Sequence, residues 1–340
     1  MSASIPSNLL DAVEQTISRY RMFDRRTPIA LAHSGGKDST FLLAALLQLH
    51  YEITPVAVDM GYSAGWSERV LSIEATLGRQ GIVVPVRDHR FQATLVPIIR
   101  SSLQERLHIL DCLNNDGSSV SPCTQCYNAK VTALQSVLKK QGVQCIAFGH
   151  HATDALASML KSVFMYIDRW DRGHPKFDRA HFVALVEEGR DTLLGDSPER
   201  RRSLLRRIRE LVISQKASTD EPPRQDLTRG DTSLRLVRPL FSLFEYEIEA
   251  AFFRWNISPE PSKCGHGAAQ DTYTPRELVH FNILRALGGT PAGRSRLEEL
   301  MELVQLGLAP DGTLLVDARA ARDALLGPQY RSGYGSGLKL

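Results

Sequence analysis

The sequence has neither a long apolar run nor the pattern of an export signal. No stretch of about 18 consecutive apolar residues occurs, so no membrane-spanning helix is predicted. The opening residues, MSASIPSNLLDAVEQ, lack the basic start and apolar centre of a secretory signal. We therefore expect a soluble, cytoplasmic protein that has no membrane partner.

Cysteine is scarce and the net charge is low. Five cysteines in 340 residues, an odd number without an export signal, argue against a disulfide framework and for thiol chemistry or metal binding. A net charge of +3 permits a nucleic-acid partner without requiring one. With 43% hydrophobic residues, a chain of this length can bury a full core and is too large for a minimal binding module.

Apolar runs typical of strands alternate with segments of helical periodicity. This alternation predicts an α/β fold with a Rossmann-like, doubly wound, mainly parallel sheet that has helices on both faces. The predicted strands are 28–33, 53–59, 82–86, 143–149 and 234–240, and the predicted helices are 8–22, 41–49, 68–80, 127–141, 154–167, 245–255, 275–287 and 294–306.

Changes in composition divide the chain into four parts. We predict a leading helix at 1–25, an α/β domain formed by 26–167 and 233–265, a charged insertion at 168–232, and a C-terminal helical region at 266–340 with a flexible, glycine-rich tail. The insertion has few apolar patterns typical of a core, so we expect it to be helical or partly mobile. Its six arginines between Arg200 and Arg209 belong to a segment with 14 basic and 13 acidic residues, a net charge of +1. That near-balance favours a solvated helix face over an RNA-binding one.

A phosphate-binding loop is the strongest motif in the chain. It lies between the first predicted strand and the next helix and consists of Ser34, Gly35, Gly36, Lys37, Asp38 and Ser39. Glycines let the backbone approach phosphate oxygens, and a helix N-terminus offers unpaired N–H groups and the positive end of its dipole. Lys37 adds a positive charge, while Ser34 and Ser39 add hydroxyl donors. The glycine spacing differs from that of a Walker A loop.

The SGGKDS sequence resembles the PP-loop of the N-type ATP pyrophosphatases. That resemblance implies cleavage of ATP between the α- and β-phosphates and an adenylylated substrate. It gives catalytic roles to Lys37 and Asp38, and Asp38 is expected to help bind Mg²⁺. Asp59 and Met60, where the second strand ends, are candidates for contact with the adenosine. Equally, Asp59 could cap the following helix.

Two cysteines are spaced for a shared metal site. Cys123 and Cys126 lie three residues apart just before a predicted helix, where the helix dipole favours thiolates; this suits a metal, a cluster or a redox dithiol. Cys264 follows the fifth predicted strand, and a doubly wound sheet can return it to the same edge. Cys145 falls inside a predicted strand and is expected to be a core residue, and Cys112 is no stronger a candidate.

The order of motifs resembles the tRNA 2-thiocytidine synthetase family. The matching motifs are SGGKDS, Cys123-Thr124-Gln125-Cys126, Gly149-His150-His151 followed by Asp154, Arg238-Pro239-Leu240, and Cys264-Gly265. The resemblance implies that Cys123, Cys126 and Cys264 bind a [4Fe-4S] cluster, that Asp154 is catalytic, and that Gly149 and His150 help bind the nucleotide. Zinc is the alternative metal, with His266 as a fourth ligand. Direct sulfur transfer through a cysteine persulfide is a third alternative.

Two positions depart from the family pattern. Thr153 stands where the family has the first carboxylate of an Asp-Asp pair, and Pro261 stands where it has a second cysteine. The insertion at 168–232 has no recognised counterpart. Metal contacts and substrate recognition are therefore expected to differ from those of the family.

The resemblance implies thiolation of a tRNA cytidine with sulfur from a cysteine-desulfurase-type donor, and it admits a homodimer. The same chemistry on a small-molecule carbonyl, such as a nucleobase or a natural product, is the nearest alternative. ATP-dependent amidation gives no reason for three spaced cysteines. A non-catalytic ATP-binding partner of a sulfurtransferase is disfavoured by the intact SGGKDS loop.

Overall fold

A six-stranded, mostly parallel β-sheet forms the centre of the molecule. The computed structural model describes residues 4–61, 65–86, 122–170, 178–229, 232–255, 257–259 and 275–315. The strand order is β3-β2-β1-β4-β6-β5, and β5 pairs with β6 in the antiparallel sense. This sheet confirms the predicted α/β class. The strands are β1 Ile29–Ala32, β2 Ile53–Asp59, β3 Ile82–Pro85, β4 Cys145–Ala147, β5 Arg224–Arg229 and β6 Thr232–Val237.

Helices connect the strands and extend the fold beyond the sheet. They are α1 Ser7–Arg19, α2 Lys37–Gln48, α3 Trp66–Thr76, α4 Pro122–Gln141, α5 Ala152–Trp170, α6 Arg179–Leu194, α7 Pro198–Ile213, α8 Glu245–Phe252, α9 Pro275–Val279, α10 Arg285–Gly288 and α11 Pro291–Gln305, with a π-helical turn at His280–Leu284 between α9 and α10. Among the described helices, none is long and apolar enough to cross a bilayer. The predicted flexible tail beyond residue 315 lies outside the described residues.

The central strands are buried on both faces, as their continuous apolar sequences require. In β1, Ile29 and Leu31 pack toward the large core formed with α2 and α5, while Ala30 faces the opposite layer. On that second face, Leu134 and Leu138 of α4 pack against the sheet. Helices therefore cover both faces of the sheet.

The insertion contributes to the main hydrophobic core. The sequence indicates few core positions there, but Phe182 and Val186 of α6 and Ile208 and Val212 of α7 are all buried in that core. The segment is therefore helical and also packs into the core. The four residues form two pairs at i and i+4, a short apolar stripe that surrounding charges obscure in the sequence.

The polar strand β5 also lies within the insertion. Its sequence, RQDLTR, has no apolar alternation, so the periodicity of the chain does not indicate a strand. It pairs along its whole length with β6 at the end of the strand order. An edge strand of this kind is held by backbone hydrogen bonds and needs few apolar side chains.

Four loops meet at the carboxyl edge of the parallel strands. They follow β1, β2, β4 and β6 and lead toward α2, α3, α5 and α8. In a sheet of this type, ligands bind in the crevice outside the carboxyl ends of the strands. The motifs that contain Ser34, Asp59, His150 and Arg238 follow these same strands.

Candidate active site

The SGGKDS loop forms a sharp turn from β1 into α2. Gly35 has φ +76°, a conformation that glycine adopts without steric cost. Gly36 is the N-cap residue of α2, and no side chain caps the helix. The Ser34 and Ser39 hydroxyl oxygens are 3.2 Å apart, which closes the loop across its base. Together with the helix dipole, this uncapped end is suited to an anion.

Gly149 brings the end of β4 against the phosphate loop. A Cβ atom at this position would lie 2.8 Å from the Ser39 nitrogen and 2.9 Å from the Asp38 carbonyl carbon. Because both neighbours are backbone atoms, they cannot move aside easily. The predicted nucleotide residue Gly149 therefore lies directly beside the first turn of α2.

Lys37 is held by carboxylates from two helices. Its Nζ atom lies 2.8 Å from Asp38 Oδ1, 2.8 Å from Glu245 Oε1 and 3.9 Å from Glu249 Oε1. Burial alone would lower the Lys37 pKa, but the charges of Asp38 and Glu245 outweigh it and raise the pKa above its usual value. Lys37 is therefore a fixed positive charge at the start of α2.

Glu245 is itself held by a second partner. Its Oε2 atom lies 3.0 Å from His280 Nε2, and its backbone N–H donates to the Thr153 hydroxyl at 2.9 Å. Burial would raise the Glu245 pKa, but the hydrogen bond from His280 and the charge of Lys37 lower it. The Thr153 hydroxyl thus anchors the first residue of α8.

Both carboxylate oxygens of Asp154 accept hydrogen bonds. Oδ2 accepts the His151 backbone N–H at 3.0 Å, and Oδ1 accepts Arg276 Nη2 at 2.7 Å. Burial would raise the Asp154 pKa, but His151 and Arg276 outweigh it and hold the pKa well below its usual range. This carboxylate fixes the start of α5, and its predicted catalytic role stays a prediction.

Arg276 connects α9 to the carboxyl edge. Besides Asp154, it forms an ion pair with Glu221, with Nη1 and Oε1 at 2.7 Å. The Arg276 pKa is raised because the charges of Glu221 and Asp154 outweigh its burial. The segment that follows α7 and the C-terminal helices therefore meet at one partly buried charge cluster.

His150 and His151 point to different parts of this cluster. His150 Nδ1 accepts from Arg238 Nε at 3.3 Å, and Arg238 also donates to the Pro222 carbonyl at 2.6 Å. His151 is buried, with Nε2 at 3.7 Å from Asp38 Oδ1. Its Nδ1 lies 3.3 Å from Asp154 Oδ2, but the alignment does not make a hydrogen bond. The two histidines connect the phosphate loop with the loop after β6.

Asp59 and Met60 lie at the end of β2. Asp59 Oδ1 accepts the Gly61 N–H at 2.8 Å, and Oδ2 accepts the Ser67 hydroxyl at 2.6 Å. Met60 is buried. These contacts tie β2 to the first turn of α3, which favours a positioning role for Asp59. The predicted adenosine contact of both residues stays a prediction.

A buried His33–Glu74 pair lies next to the phosphate loop and helps fix its position, although no sequence motif indicates this pair. His33 Nδ1 lies 2.7 Å from Glu74 Oε1, and His33 Nε2 lies 3.2 Å from the Thr40 hydroxyl. Both side chains are fully buried. The pair fixes the residue before Ser34 and the first turn of α2 against α3.

The cysteine motif lies within the first turns of a helix. The prediction placed Cys123 and Cys126 just before a helix at 127–141, whereas α4 begins at Pro122 and includes both. Their side chains, together with Cys264, His266 and Cys112, lie outside the described residues. Among the residues whose side chains are described, no group of three or more His, Cys, Asp and Glu residues is arranged to hold a metal ion.

Cys145 is a core residue, as its strand position predicts. It is 3% exposed within β4, and burial raises the pKa of its thiol to about 12. A thiol of that pKa remains protonated near neutral pH and is a poor metal ligand. Cys145 therefore provides a natural control for experiments on the other cysteines.

No protein-family model matches the sequence. Curated relatives include the tRNA-cytidine(32) 2-sulfurtransferase of Anaeromyxobacter sp. strain Fw109-5, with 26% identity over 160 residues covering 47% of this chain and 48% of the relative. The enzyme of the same name from Geobacter sulfurreducens is 28% identical over 45% of this chain and 54% of its own length. The chain thus spans about half the length of these relatives.

Among solved structures, the U34-tRNA thiolase NcsA from Methanococcus maripaludis with its [4Fe-4S] cluster has a TM-score of 0.49 and 15% identity, covering 88% of this chain and 79% of that one. The curated sequence relatives share one name, and that name agrees with the order of motifs in this chain. Over nearly half of its length, the chain is therefore related to the tRNA-cytidine(32) 2-sulfurtransferases, which confirms the resemblance seen in its motifs.

Proposed function

We propose that this protein is an ATP-dependent sulfurtransferase that adenylylates the 2-carbonyl oxygen of a tRNA cytidine and replaces that oxygen with sulfur. The observation that carries the proposal is the arrangement at the carboxyl edge. The uncapped start of α2, the Lys37 ammonium and the close approach of Gly149 together form a site shaped for the phosphates of ATP.

The phosphate loop suits the first half of this reaction. The substrate oxygen attacks the α-phosphorus, pyrophosphate leaves, and the oxygen becomes part of a good leaving group. Lys37 and the first N–H groups of α2 would neutralise the charge on the departing pyrophosphate. Asp38, which is 32% exposed at its side chain, is available to help hold Mg²⁺ on the phosphates.

Adenylation makes the second half of the reaction chemically feasible. A sulfide sulfur attacks the activated carbon, and the carbon–oxygen bond breaks as AMP departs with the original oxygen. The ring carbonyl oxygen alone is a poor leaving group, so ATP use and sulfur insertion belong to one sequence. The sulfur itself would come from a cysteine-desulfurase-type donor.

Cys123, Cys126 and Cys264 would hold a [4Fe-4S] cluster with one iron left without a protein ligand. The donor set fits, since three thiolates suit such a cluster and α4 begins with two of them. Because α4 packs along the sheet and ends just before β4, its amino-terminal end lies at the same carboxyl edge as the phosphate loop. When bound, the cluster would supply the site at which a sulfide is held for attack.

The tRNA substrate is supported by the name that the curated relatives share. Because the match spans about half of those proteins, a small-molecule carbonyl substrate is the alternative outcome of the test. The alternative is motivated by Thr153 and by the insertion, where the chain departs from the family pattern.

Formation of AMP tests the proposed use of ATP. Lys37→Ala should reduce substrate-dependent AMP formation by about a hundredfold or more, because the charge that stabilises the departing pyrophosphate is lost. Lys139→Ala, at an exposed lysine in the last turn of α4, is the matched control and should retain activity. AMP release should be followed with total tRNA and with free nucleobases. Full activity of Lys37→Ala would remove the loop from the mechanism.

A further inference from the structure

Lys37, Glu245 and His280 form a chain of contacts that joins the phosphate loop to the C-terminal helices. The Glu245 carboxylate lies between the other two, with Oε1 2.8 Å from Lys37 Nζ and Oε2 3.0 Å from His280 Nε2. All three side chains are mostly buried, with exposed fractions of 24%, 19% and 18%. Such contacts are screened by solvent less than surface ion pairs are.

Glu245 would compete with a bound phosphate for the Lys37 ammonium. Phosphates that bind at the start of α2 must interact with the same ammonium that Glu245 contacts together with Asp38. A carboxylate released from Lys37 would remain largely buried, and a buried charge without a partner is unfavourable. Its other oxygen, however, already faces His280, which can keep one hydrogen bond on the carboxylate after Lys37 has turned to the phosphates.

The backbone that holds His280 is unusual and well fixed. His280 begins the π-helical turn His280–Leu284, a form that occurs mostly as single turns and often at functional sites. The neighbouring Val279, Ile283 and Leu284 are buried in the main core. The ring of His280 is therefore held against Glu245 by the packing of the C-terminal helices.

We infer that Glu245 and His280 are positioning residues for Lys37: Glu245 takes the place of phosphate in the ligand-free loop, and His280 retains Glu245 when the phosphates arrive. This inference rests on the proposed use of ATP and adds two residues to it. Neither residue touches the reacting atoms. Both act by setting how readily Lys37 exchanges one anion for another.

The test is a set of equilibrium binding measurements with ATP, pyrophosphate and AMP on the full chain. Glu245→Gln removes the competing charge and should tighten ATP and pyrophosphate binding by about three- to tenfold, within the range of one charge-assisted hydrogen bond. His280→Ala removes the residue that retains Glu245 and should weaken both by a similar factor. AMP lacks the two phosphates assigned to Lys37, so its affinity should change less than about twofold.

Four further variants distinguish a positioning role for Glu245 and His280 from a purely structural one. His280→Gln keeps a donor and should restore most of the ATP affinity. In the double variant Glu245→Gln, His280→Ala, loss of the imidazole should have no further effect, because the carboxylate that it retains is absent. Asn282→Ala changes the same π-helical turn, where the side chain donates to the Leu278 carbonyl at 2.9 Å, and should bind ATP normally. Glu249→Gln, 3.9 Å from Lys37, should have a smaller effect than Glu245→Gln.

The outcomes distinguish this inference from the proposed function. If the unaltered protein binds ATP while Glu245→Gln and His280→Ala bind it equally well, the positioning role is wrong and ATP use stands. Additive effects in the double variant, or equal changes for AMP and ATP, would also overturn the positioning role. If the unaltered protein binds neither ATP nor pyrophosphate, both the inference and the proposed use of ATP fail.

Discussion

Gly149 is the residue at which the sheet and the phosphate loop come closest. Its hydrogen faces the backbone of Asp38 and Ser39, so the spacing between β4 and α2 depends on the absence of a side chain. Residue 149 must lack a Cβ atom, because that atom would collide with the backbone of α2. It also explains why a glycine precedes the two histidines of the motif.

Gly149→Ala should impair both stability and ATP binding. The added Cβ would meet backbone atoms at 2.8 and 2.9 Å, and a misfit of this kind costs about 1–3 kcal/mol of the free energy of unfolding. Urea denaturation measures the stability and calorimetry measures the affinity for ATP. Gly289→Ala is the control, because its nearest contact would be 3.4 Å and its φ of −70° is ordinary. Unchanged ATP affinity in Gly149→Ala would show that the close approach is not needed.

Asp154 contributes stability that depends on pH. Its folded-state pKa is lowered, so its contribution is present above the unfolded carboxyl pKa of about 3.9 and is lost as the pH falls toward the folded value. Asp154→Asn should therefore destabilise the protein at pH 7 by about 1–3 kcal/mol, since Arg276 loses its ion pair with Asp154 and keeps the one with Glu221. The difference from the unaltered protein should shrink in urea titrations below about pH 4. A difference that grows with acidity would contradict this assignment.

The residues of the phosphate loop are predictable from sequence because they are neighbours in the chain. Glu245 and Lys37 are separated by 208 residues, and Arg276 and Asp154 by 122. Local periodicity and motif spacing carry no information about such pairs. Glu245 begins a predicted helix, but nothing in its surroundings indicates that it faces Lys37.

The helices α6 and α7 show how a charged segment can belong to the core. Each has one narrow apolar stripe, and Ser197 caps the start of α7 with its side chain accepting the Arg200 N–H. The arginines of α7 lie mostly on its exposed side, while Ile208, Leu211 and Val212 are buried. Net charge and composition average over both faces of a helix, so they do not reveal the buried apolar stripe.

Phe182→Ala should destabilise the whole molecule. Phe182 is fully buried in the main core, and replacement of a buried phenylalanine by alanine costs about 3–5 kcal/mol. Because that core also includes α1, α2 and α5, we expect one cooperative transition shifted to lower denaturant. Glu187→Ala, at an exposed position of α6, serves as the control. A separate early transition confined to the insertion would show that it folds independently.

The whole molecule places distant motifs at one edge of the sheet. Parallel strands all end on the same side, so the loops after β1, β4 and β6 converge there, and the amino-terminal end of α4 reaches the same side. This convergence is predictable from the fold class together with the position of each motif after a strand. The contacts that Arg276 of α9 and His280 of the π-helical turn make with the site are not predictable in this way, because they depend on how the C-terminal helices pack against α5 and α6.

The most direct test of the proposed function is nucleoside analysis of tRNA after anaerobic incubation with ATP, a sulfide donor and the iron-loaded protein. We expect 2-thiocytidine and AMP in equal amounts from the unaltered protein and from Cys145→Ala. Cys123→Ala should lose the thiolated nucleoside and the bound iron together. Absence of any thiolated nucleoside from the unaltered protein, with iron and ATP present, would contradict tRNA thiolation, and AMP formation on a small carbonyl substrate would then assign the chemistry to that class.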